Sequence, residues 1–159
     1  MLDSVSESDI RSQSVKRKVI LMKNIVCAVL GSKLSCLPFG YNEEEESCIL
    51  LKDEMREKLL SLIEKENVRE FILSLGLTTS LYAAEIIISL KANFPDLKLE
   101  CVIPFENLTE KWCESLRNRY FNIAELSDKE ILLEKRNSSD NEEKLNTYLL
   151  NSSNLTVSF

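Results

Sequence analysis

The stretch that decides the fold is EFILSLGLTTSLYAAEIIISLKANFPDLKLECVIPF, residues 70–105. It opens with a short apolar run, residues 70–74, which is typical of a buried strand. Hydroxyl-bearing residues then lead into a helical stretch, residues 81–94, which is stopped by Pro95. Residues 97–103 are apolar again and predict a second strand. The order strand, helix, strand predicts a right-handed unit whose two strands are parallel.

The same alternation of strand and helix extends upstream of this stretch. Residues 19–30 form a near-continuous apolar run that ends at Gly31, which predicts a strand buried on both faces. An amphipathic helix is expected next, with acidic residues 43–46 near its start, where they favour the positive end of the helix dipole. The apolar stripe of this helix consists of Leu51, Met55, Leu59, Leu62 and Ile63.

Downstream, a third helix is predicted from apolar residues that recur every four positions. These residues are Leu108, Trp112, Leu116 and Tyr120. Weaker patterns predict a short strand at residues 131–133, a brief helix at 142–151 and a final strand at 155–159. We therefore expect an α/β fold with a mostly parallel sheet of about five strands.

The chain length fits one globular domain. Residues 1–15 are rich in Ser, Asp and Glu and are expected to form a flexible tail. Residues 16–159 are then predicted to form a single domain. The apolar run at residues 19–30 is too short to span a membrane, so no membrane association is expected.

The composition excludes several kinds of functional site. Histidine is absent, which rules out a Ser-His-Asp triad and a histidine-ligated zinc site within this chain. The chain has three glycines, Gly31, Gly40 and Gly76, and their spacing matches none of the usual Gly-rich phosphate loops. The formal net charge of −6 argues against binding to nucleic acid. No metal site and no cofactor are predicted.

The five cysteines include no CxxC pair, and their odd number suits reduced thiols better than a disulfide framework. Cys27 and Cys101 fall within predicted strands and are interpreted as inert, buried thiols. This cysteine usage leads us to expect a cytoplasmic protein.

Two strings resemble a known family. LPFGYNEEEESCILLKDEMREKL (residues 37–59) and LYAAEIIISLKANFPDLKLECVIPFENLTEKW (residues 81–112) are similar to the YpsA-like branch of the SLOG superfamily, the Smf/DprA and LOG group. The resemblance runs from about residue 19 to the C-terminus. It implies a Rossmann-like three-layer sandwich and, as for many members, a nucleotide or nucleotide-derived ligand. The related LOG enzymes cleave nucleoside monophosphates at the glycosidic bond.

The chain departs from the family pattern where a phosphate site is expected. The family's Thr-Gly-His-Arg-Pro motif corresponds to LGSKL, residues 30–34, which keeps only the glycine and one basic residue. After the second strand, Ser74 and Thr78 replace two glycines, and Ser80 replaces an acidic residue. Family members continue into a Gly-Gly-Thr turn, a helix and a further strand, whereas this sequence stops at Phe159. The resemblance thus implies a degenerate, C-terminally shortened member that lacks the usual last strand and helix.

Ligands of Rossmann-like folds bind at the carboxyl ends of the strands. The candidate ligand-binding residues there are Gly31, Ser32, Lys33, Ser74, Gly76, Thr78, Ser80 and Glu106. Lys33 is suited to pairing with a phosphate, or it is a surface lysine. The hydroxyls of Thr78 and Ser80 are suited to hydrogen-bonding a ligand, or they cap a helix.

One carboxylate is a weak candidate for catalysis. The resemblance to LOG enzymes points to Glu85, because an acidic residue near this element takes part in their glycosidic chemistry. Ser80 stands where its acidic partner would be, so a solvated or capping role for Glu85 is the alternative.

These observations favour a non-enzymatic binding or regulatory protein. Such a protein would bind a nucleotide weakly, or would act through contact with a protein partner or as a homo-oligomer. The alternative is a nucleotide-processing enzyme of the LOG phosphoribohydrolase type.

Overall fold

A computed structural model describes residues 24–159 of the chain. The predicted tail at residues 1–15 and the first part of the predicted first strand, residues 19–23, lie outside the described residues. The five strands are β1 Ile25–Leu30, β2 Val68–Ser74, β3 Lys98–Phe105, β4 Lys129–Glu134 and β5 Leu155–Ser158. The helices are a short 3₁₀ helix Leu34–Cys36, α1 Glu46–Lys65, α2 Ser80–Leu90, α3 Glu114–Leu126 and α4 Asn141–Asn151.

The five strands form one sheet in the order β4-β3-β2-β1-β5, and every neighbouring pair is parallel. Ala28, Ile72 and Glu100 lie side by side on the central strands and fix the register. The expected α/β fold with about five mostly parallel strands is confirmed. Its arrangement is that of a Rossmann-like three-layer sandwich.

The helices lie on both faces of the sheet. Three successive connections step from β1 to β4 in one direction, and the fourth returns to place β5 beside β1. Because such crossovers are right-handed, the returning helix must cover the opposite face. Accordingly, α1, α2 and α3 pack against the larger core, while Leu149 of α4 packs with Ala28, Ile72 and Val102.

The predicted third helix is wrong at its start. Leu108 and Trp112 precede α3, in a segment of turns where the Trp112 amide donates to the Thr109 carbonyl at 3.1 Å. The extended backbone of Cys113 separates these turns from the helix. Trp112 still reaches the core, since its ring meets that of Tyr120 edge-on at 5.7 Å.

Two further boundaries differ from the sequence patterns. The predicted helix at residues 81–94 ends at Leu90 and is followed by turns before Pro95. Strand β3 continues through Pro104 to Phe105, beyond the last pairing between Ser74 and Val102. A proline lacks an N–H donor and is tolerated where a neighbouring strand has ended. The strands predicted at residues 131–133 and 155–159 are confirmed as β4 and β5.

Candidate functional site

The carboxyl ends of β1, β2 and β3 open into a cleft of about 370 Å³, on the face of the sheet that α4 covers. Its polar and charged lining residues are Lys33, Ser74, Thr78, Ser80, Asn137, Ser138, Ser139, Asn141, Glu142 and Asn146. The remaining lining residues are Val29, Leu30, Gly31, Leu75, Gly76, Pro104, Phe105, Leu108, Leu145 and Leu149. A concave site with an apolar wall and a few polar groups is typical of a small-molecule pocket.

The loops after β1 and β2 are held together by backbone hydrogen bonds. The Leu34 amide donates to the Leu77 carbonyl at 3.1 Å, and the Thr79 amide donates to the Ser32 carbonyl at 2.9 Å. Between these bonds, Lys33 and Thr78 form an antiparallel bridge. The two loops are therefore joined into one rim, and Lys33 of this rim lines the cleft.

The hydroxyls at the start of α2 are used within the protein. The Thr78 hydroxyl accepts a hydrogen bond from the Ser80 amide at 3.2 Å, a local bond between residues two apart at the start of α2. The Thr79 hydroxyl accepts one from the Ser32 amide at 3.0 Å. Thr78 and Ser80 both line the cleft, although Thr79 and Ser80 are almost fully buried. Both threonine hydroxyls thus make hydrogen bonds within the protein, although the N-cap residue of α2, Thr79, makes no side-chain bond to the helix.

Most of the predicted ligand-binding residues come together at this cleft. Gly31, Lys33, Ser74, Gly76, Thr78 and Ser80 all line it. Ser32 lies outside the lining, where its hydroxyl donates to the Phe159 carbonyl oxygen at 2.7 Å. Glu106 also lies outside the lining, on an exposed turn after β3.

The α4 half of the cleft was missed by the sequence reasoning. Asn141, at the first turn of α4, is buried and orders this half of the site. Its Oδ1 accepts from the Ser138 amide at 2.7 Å and from the Ser138 hydroxyl, and its Nδ2 donates to the Pro104 carbonyl at 3.5 Å. The polar run NSSDN, residues 137–141, carried this signal, because Asn, Ser and Asp concentrate where helices begin.

Glu85 lies in a different part of the protein from the cleft. Its carboxylate accepts a hydrogen bond from the Arg119 Nε at 3.0 Å, between α2 and α3. Arg119 also pairs with Glu43, which binds Lys52 of α1. The structure thus places Glu85 in an ion-pair network among the helices of the larger core and does not bring it together with Lys33 or Thr78. Among the described residues that line the cleft, Glu142 is the one with a carboxylate.

Burial affects the chemistry of the cysteines in the sheet. It raises the pKa of Cys27 to about 11 and that of Cys101 to about 12. Both thiols are buried, as the sequence predicted, and at neutral pH they remain protonated and unreactive.

Within residues 24–159, no three metal-ligating side chains of the Cys, Asp or Glu type cluster in a way that could hold an ion. None of the helices described for these residues is long and apolar enough to cross a membrane.

A parallel sheet with helices on both faces and a cleft at its carboxyl edge defines a Rossmann-like α/β protein. The family model for YpsA, described as the "YspA SLOG family", matches residues 27–159. The chain therefore belongs to the YpsA family of SLOG proteins, which confirms the resemblance seen in the sequence.

Curated relatives share the name UPF0398 protein. The chain is 33% identical over 88 residues to the UPF0398 protein of Brevibacillus brevis, a match that covers 55% of this chain and 46% of the relative. It is 31% identical over 106 residues to the UPF0398 protein of Bacillus licheniformis, covering 65% and 55% of the two chains. The chain thus spans about half the length of the curated relatives it matches.

Proposed function

We propose that this protein is a non-enzymatic binding protein whose cleft holds a nucleotide or nucleotide-derived ligand weakly. The observation that carries the proposal is the position of the cleft, at the carboxyl ends of β1, β2 and β3. In open parallel sheets, ligands bind in the crevice at the carboxyl ends of the strands, at the point where the order of the strands reverses. Here the reversal occurs at β1, between β2 and β5.

The lining chemistry supports a ligand that has both an apolar ring and polar groups. Phe105, Leu108 and Leu145 supply an apolar wall against which a planar base can pack. The amides of Asn137 and Asn146 are suited to hydrogen bonds with the edge of a base or with a ribose. A volume of about 370 Å³ lies near the low end of the range for small-molecule sites, about 300–1,000 Å³.

The placement of the carboxylates supports binding over catalysis. Hydrolysis of a glycosidic bond ordinarily uses two carboxylates, one as the acid and one as the base or nucleophile. Among residues 24–159, Glu142 alone provides a carboxylate to the cleft lining, and Glu85 is paired with Arg119 elsewhere. We therefore propose binding without hydrolysis as the function of this site.

The test is a thermal-shift panel with AMP, ATP, NAD and ADP-ribose at millimolar concentration. A ligand at about 100 times its Kd stabilises a protein by about 2.7 kcal/mol, which is a rise in Tm of several degrees for a domain of this size. We expect at least one compound to raise Tm. A panel in which no compound changes Tm overturns the proposal.

Two tryptophan substitutions show whether the cleft is responsible. Asn146→Trp places a bulky ring at an exposed position of the lining, and should abolish the shift. Thr147→Trp changes the next residue of α4, which is also exposed but lies outside the lining, and should preserve the shift. Equal shifts in both variants would place the ligand elsewhere and contradict the proposal.

The hydrolase alternative has its own assay. The wild-type protein and Glu85→Gln are incubated with AMP at high protein concentration, and free adenine is measured. We expect none from either protein. Release of adenine by the wild type that is lost in Glu85→Gln would establish the hydrolase in place of the binding protein.

A further inference from the structure

The two faces of the sheet are covered unequally. Within residues 24–159, α1, α2 and α3 pack on one face, and α4 is the helix that packs on the other. On the α4 face, Val26, Leu30 and Leu133 are partly exposed, although they contact the apolar cluster there. Part of this face is therefore open to another segment of chain.

A groove lies between α4 and β4 on this face. Its volume is about 530 Å³, and its lining residues are Leu133, Glu134, Asp140, Glu143, Lys144, Thr147, Tyr148 and Asn151. None of these residues lines the cleft at the carboxyl ends of the strands. Leu133 and Tyr148 give the groove an apolar part, and the Tyr148 hydroxyl donates to the buried Glu100 carboxylate at 3.3 Å.

The charge of this groove is negative. Its lining has three carboxylates, those of Glu134, Asp140 and Glu143, and one cation, Lys144. Lys144 is already paired with Glu134, and with Asp140 at 3.3 Å. Glu143 makes no ion pair with residues 24–159. The groove is therefore suited to a segment that carries both positive charge and apolar side chains.

The chain itself has such a segment directly before β1. Residues 16–23, KRKVILMK, have four cations on either side of the apolar run VILM and no acidic residue. This composition complements the groove in charge and in apolar character.

The segment also joins the described chain close to one end of the groove. The Asn154 amide donates to the Val26 carbonyl at 2.8 Å, and the Val26 amide donates to the Asn154 Oδ1 at 3.0 Å. The start of β1 thus lies near the end of α4, whose last residue, Asn151, lines the groove. Helix α4 is about 16 Å long, whereas eight residues of extended chain span up to about 26 Å. Residues 16–23 are therefore long enough to reach along the groove.

We propose that residues 16–23 bind in the groove between α4 and β4 of the same molecule. The cations of the segment meet the carboxylates that line the groove, and the apolar run packs on Leu133 and Tyr148. Because α4 also forms a wall of the cleft, this contact stabilises that wall from its far side. The proposal does not depend on whether the cleft binds a ligand.

Zero-length cross-linking of the whole chain tests the contact directly. A carbodiimide joins a lysine amine to a carboxylate in contact with it, with loss of water, and mass spectrometry of the digest identifies the pair. We expect cross-links from residues 16–23 to Glu143, and none to Glu125, an exposed carboxylate of α3 on the opposite face. The absence of cross-links to the groove, or equal cross-linking to Glu125, overturns the proposal.

A mixture of isotope-labelled and unlabelled protein shows whether the segment and the groove belong to one molecule. We expect each cross-linked pair to be wholly labelled or wholly unlabelled. Pairs that join a labelled peptide to an unlabelled one would assign the groove to the segment of a second copy, and would overturn the proposal.

Charge reversal measures the contribution of the contact to stability. Lys16→Glu, Arg17→Glu and Lys18→Glu, made together, should lower Tm, because the segment then repels the groove. Glu143→Lys should lower Tm in the wild type and raise it in this triple variant. The helix-dipole effect of a lysine in the first turn of α4 is the same in both backgrounds and cancels in the comparison.

Glu125→Lys is the matched control for this comparison. It makes the same change of charge on the opposite face and should alter Tm equally in both backgrounds. If Glu143→Lys also alters Tm equally in both backgrounds, residues 16–18 do not contact the groove and the proposal is overturned.

Discussion

Gly31 packs directly against Ser80, at the point where the loop after β1 meets the start of α2. A Cβ atom on Gly31 would lie 2.5 Å from the Ser80 hydroxyl and 2.7 Å from the Ser80 amide nitrogen. No side chain fits at such a distance, so the glycine is needed for the close approach of the two loops. The rim that presents Lys33 to the cleft depends on this contact.

We predict that Gly31→Ala destabilises the protein by about 1–3 kcal/mol, the usual cost of forcing atoms into a well-packed site. Thermal unfolding should show a fall in Tm of several degrees. Gly76→Ala is the matched control, because a Cβ there meets nothing closer than the Thr78 methyl group at 3.9 Å. If both variants unfold at the wild-type temperature, the loops are not in the contact described.

A second prediction concerns the attachment of α4 to the sheet. Leu149 is almost fully buried among Ala28, Ile72 and Val102, whereas its neighbour Leu150 is 51% exposed. Leu149→Ala should destabilise the fold by about 2–5 kcal/mol, because it removes buried methyl groups and leaves a cavity. Leu150→Ala should change the free energy of unfolding by no more than about 0.5 kcal/mol.

Urea titrations followed by circular dichroism measure both variants of this pair. Since α4 forms one wall of the cleft, Leu149→Ala should also weaken any ligand shift, while Leu150→Ala preserves it. Equal destabilisation by the two substitutions would mean that α4 meets the sheet through another face.

The order of the elements was predictable because the chain alternates apolar runs with amphipathic stretches. The apolar runs of β1 and β2 are followed closely by Gly31 and Gly76, and near-continuous apolar runs of this kind are typical of parallel strands buried on both faces. The start of α3 was not predictable in the same way. Leu108 and Trp112 are four residues apart, as on one face of a helix. They nevertheless lie in turns before α3, and both pack against the core. Apolar residues in turns that contact the core can therefore have the same spacing as those of a helix.

The sequence predicted the part of the candidate site formed by the loops after β1 and β2, but not the part formed by α4. The rule that ligands lie at the carboxyl ends of parallel strands located Lys33, Ser74 and Thr78 correctly in one cleft. The opposite wall belongs to α4, more than sixty residues further along the chain. Helix α4 reaches the cleft because the chain crosses back over the sheet to place β5 beside β1. The sequence pattern of α4 and β5 does not indicate this change of direction. The ion pair between Glu85 and Arg119 joins two helices that are distant in sequence. The spacing of residues along the chain therefore could not predict it.

A third prediction concerns thiol reactivity. Cys36 and Cys113 are exposed, whereas Cys27, Cys48 and Cys101 are buried. Hydrogen bonds from the Ser115 hydroxyl and from the backbone at the start of α3 lower the pKa of Cys113 below its ordinary value. A thiolate-directed reagent should therefore modify Cys113 and Cys36 in the native protein and reach the other three only on unfolding.

Mass spectrometry after brief alkylation at neutral pH measures this pattern. Cys113→Ser should remove one rapidly modified site, and Cys48→Ser should leave the native count unchanged. Rapid native modification of Cys27 or Cys101 would contradict the burial of β1 and β3.

The last prediction concerns pH. Burial raises the pKa of Glu43, but hydrogen bonds and charge attraction from Arg119 and Lys52 outweigh it, so the pKa falls below the ordinary 4.5. A carboxyl whose folded pKa is depressed stabilises the fold above its unfolded pKa, and this stabilisation is lost as the pH falls through the folded value. Glu43→Gln should therefore cost about 1 kcal/mol near neutral pH and progressively less below about pH 4.5.

Urea unfolding at several pH values between neutral and about pH 3 gives the difference between wild type and variant. Glu44→Gln is the matched control, because the Glu44 carboxylate makes no ion pair or hydrogen bond with residues 24–159. It should leave the pH dependence unchanged. A pH-independent loss in Glu43→Gln would mean that the variant disturbs packing among the helices, and that the ion pairs to Arg119 and Lys52 do not supply the stabilisation.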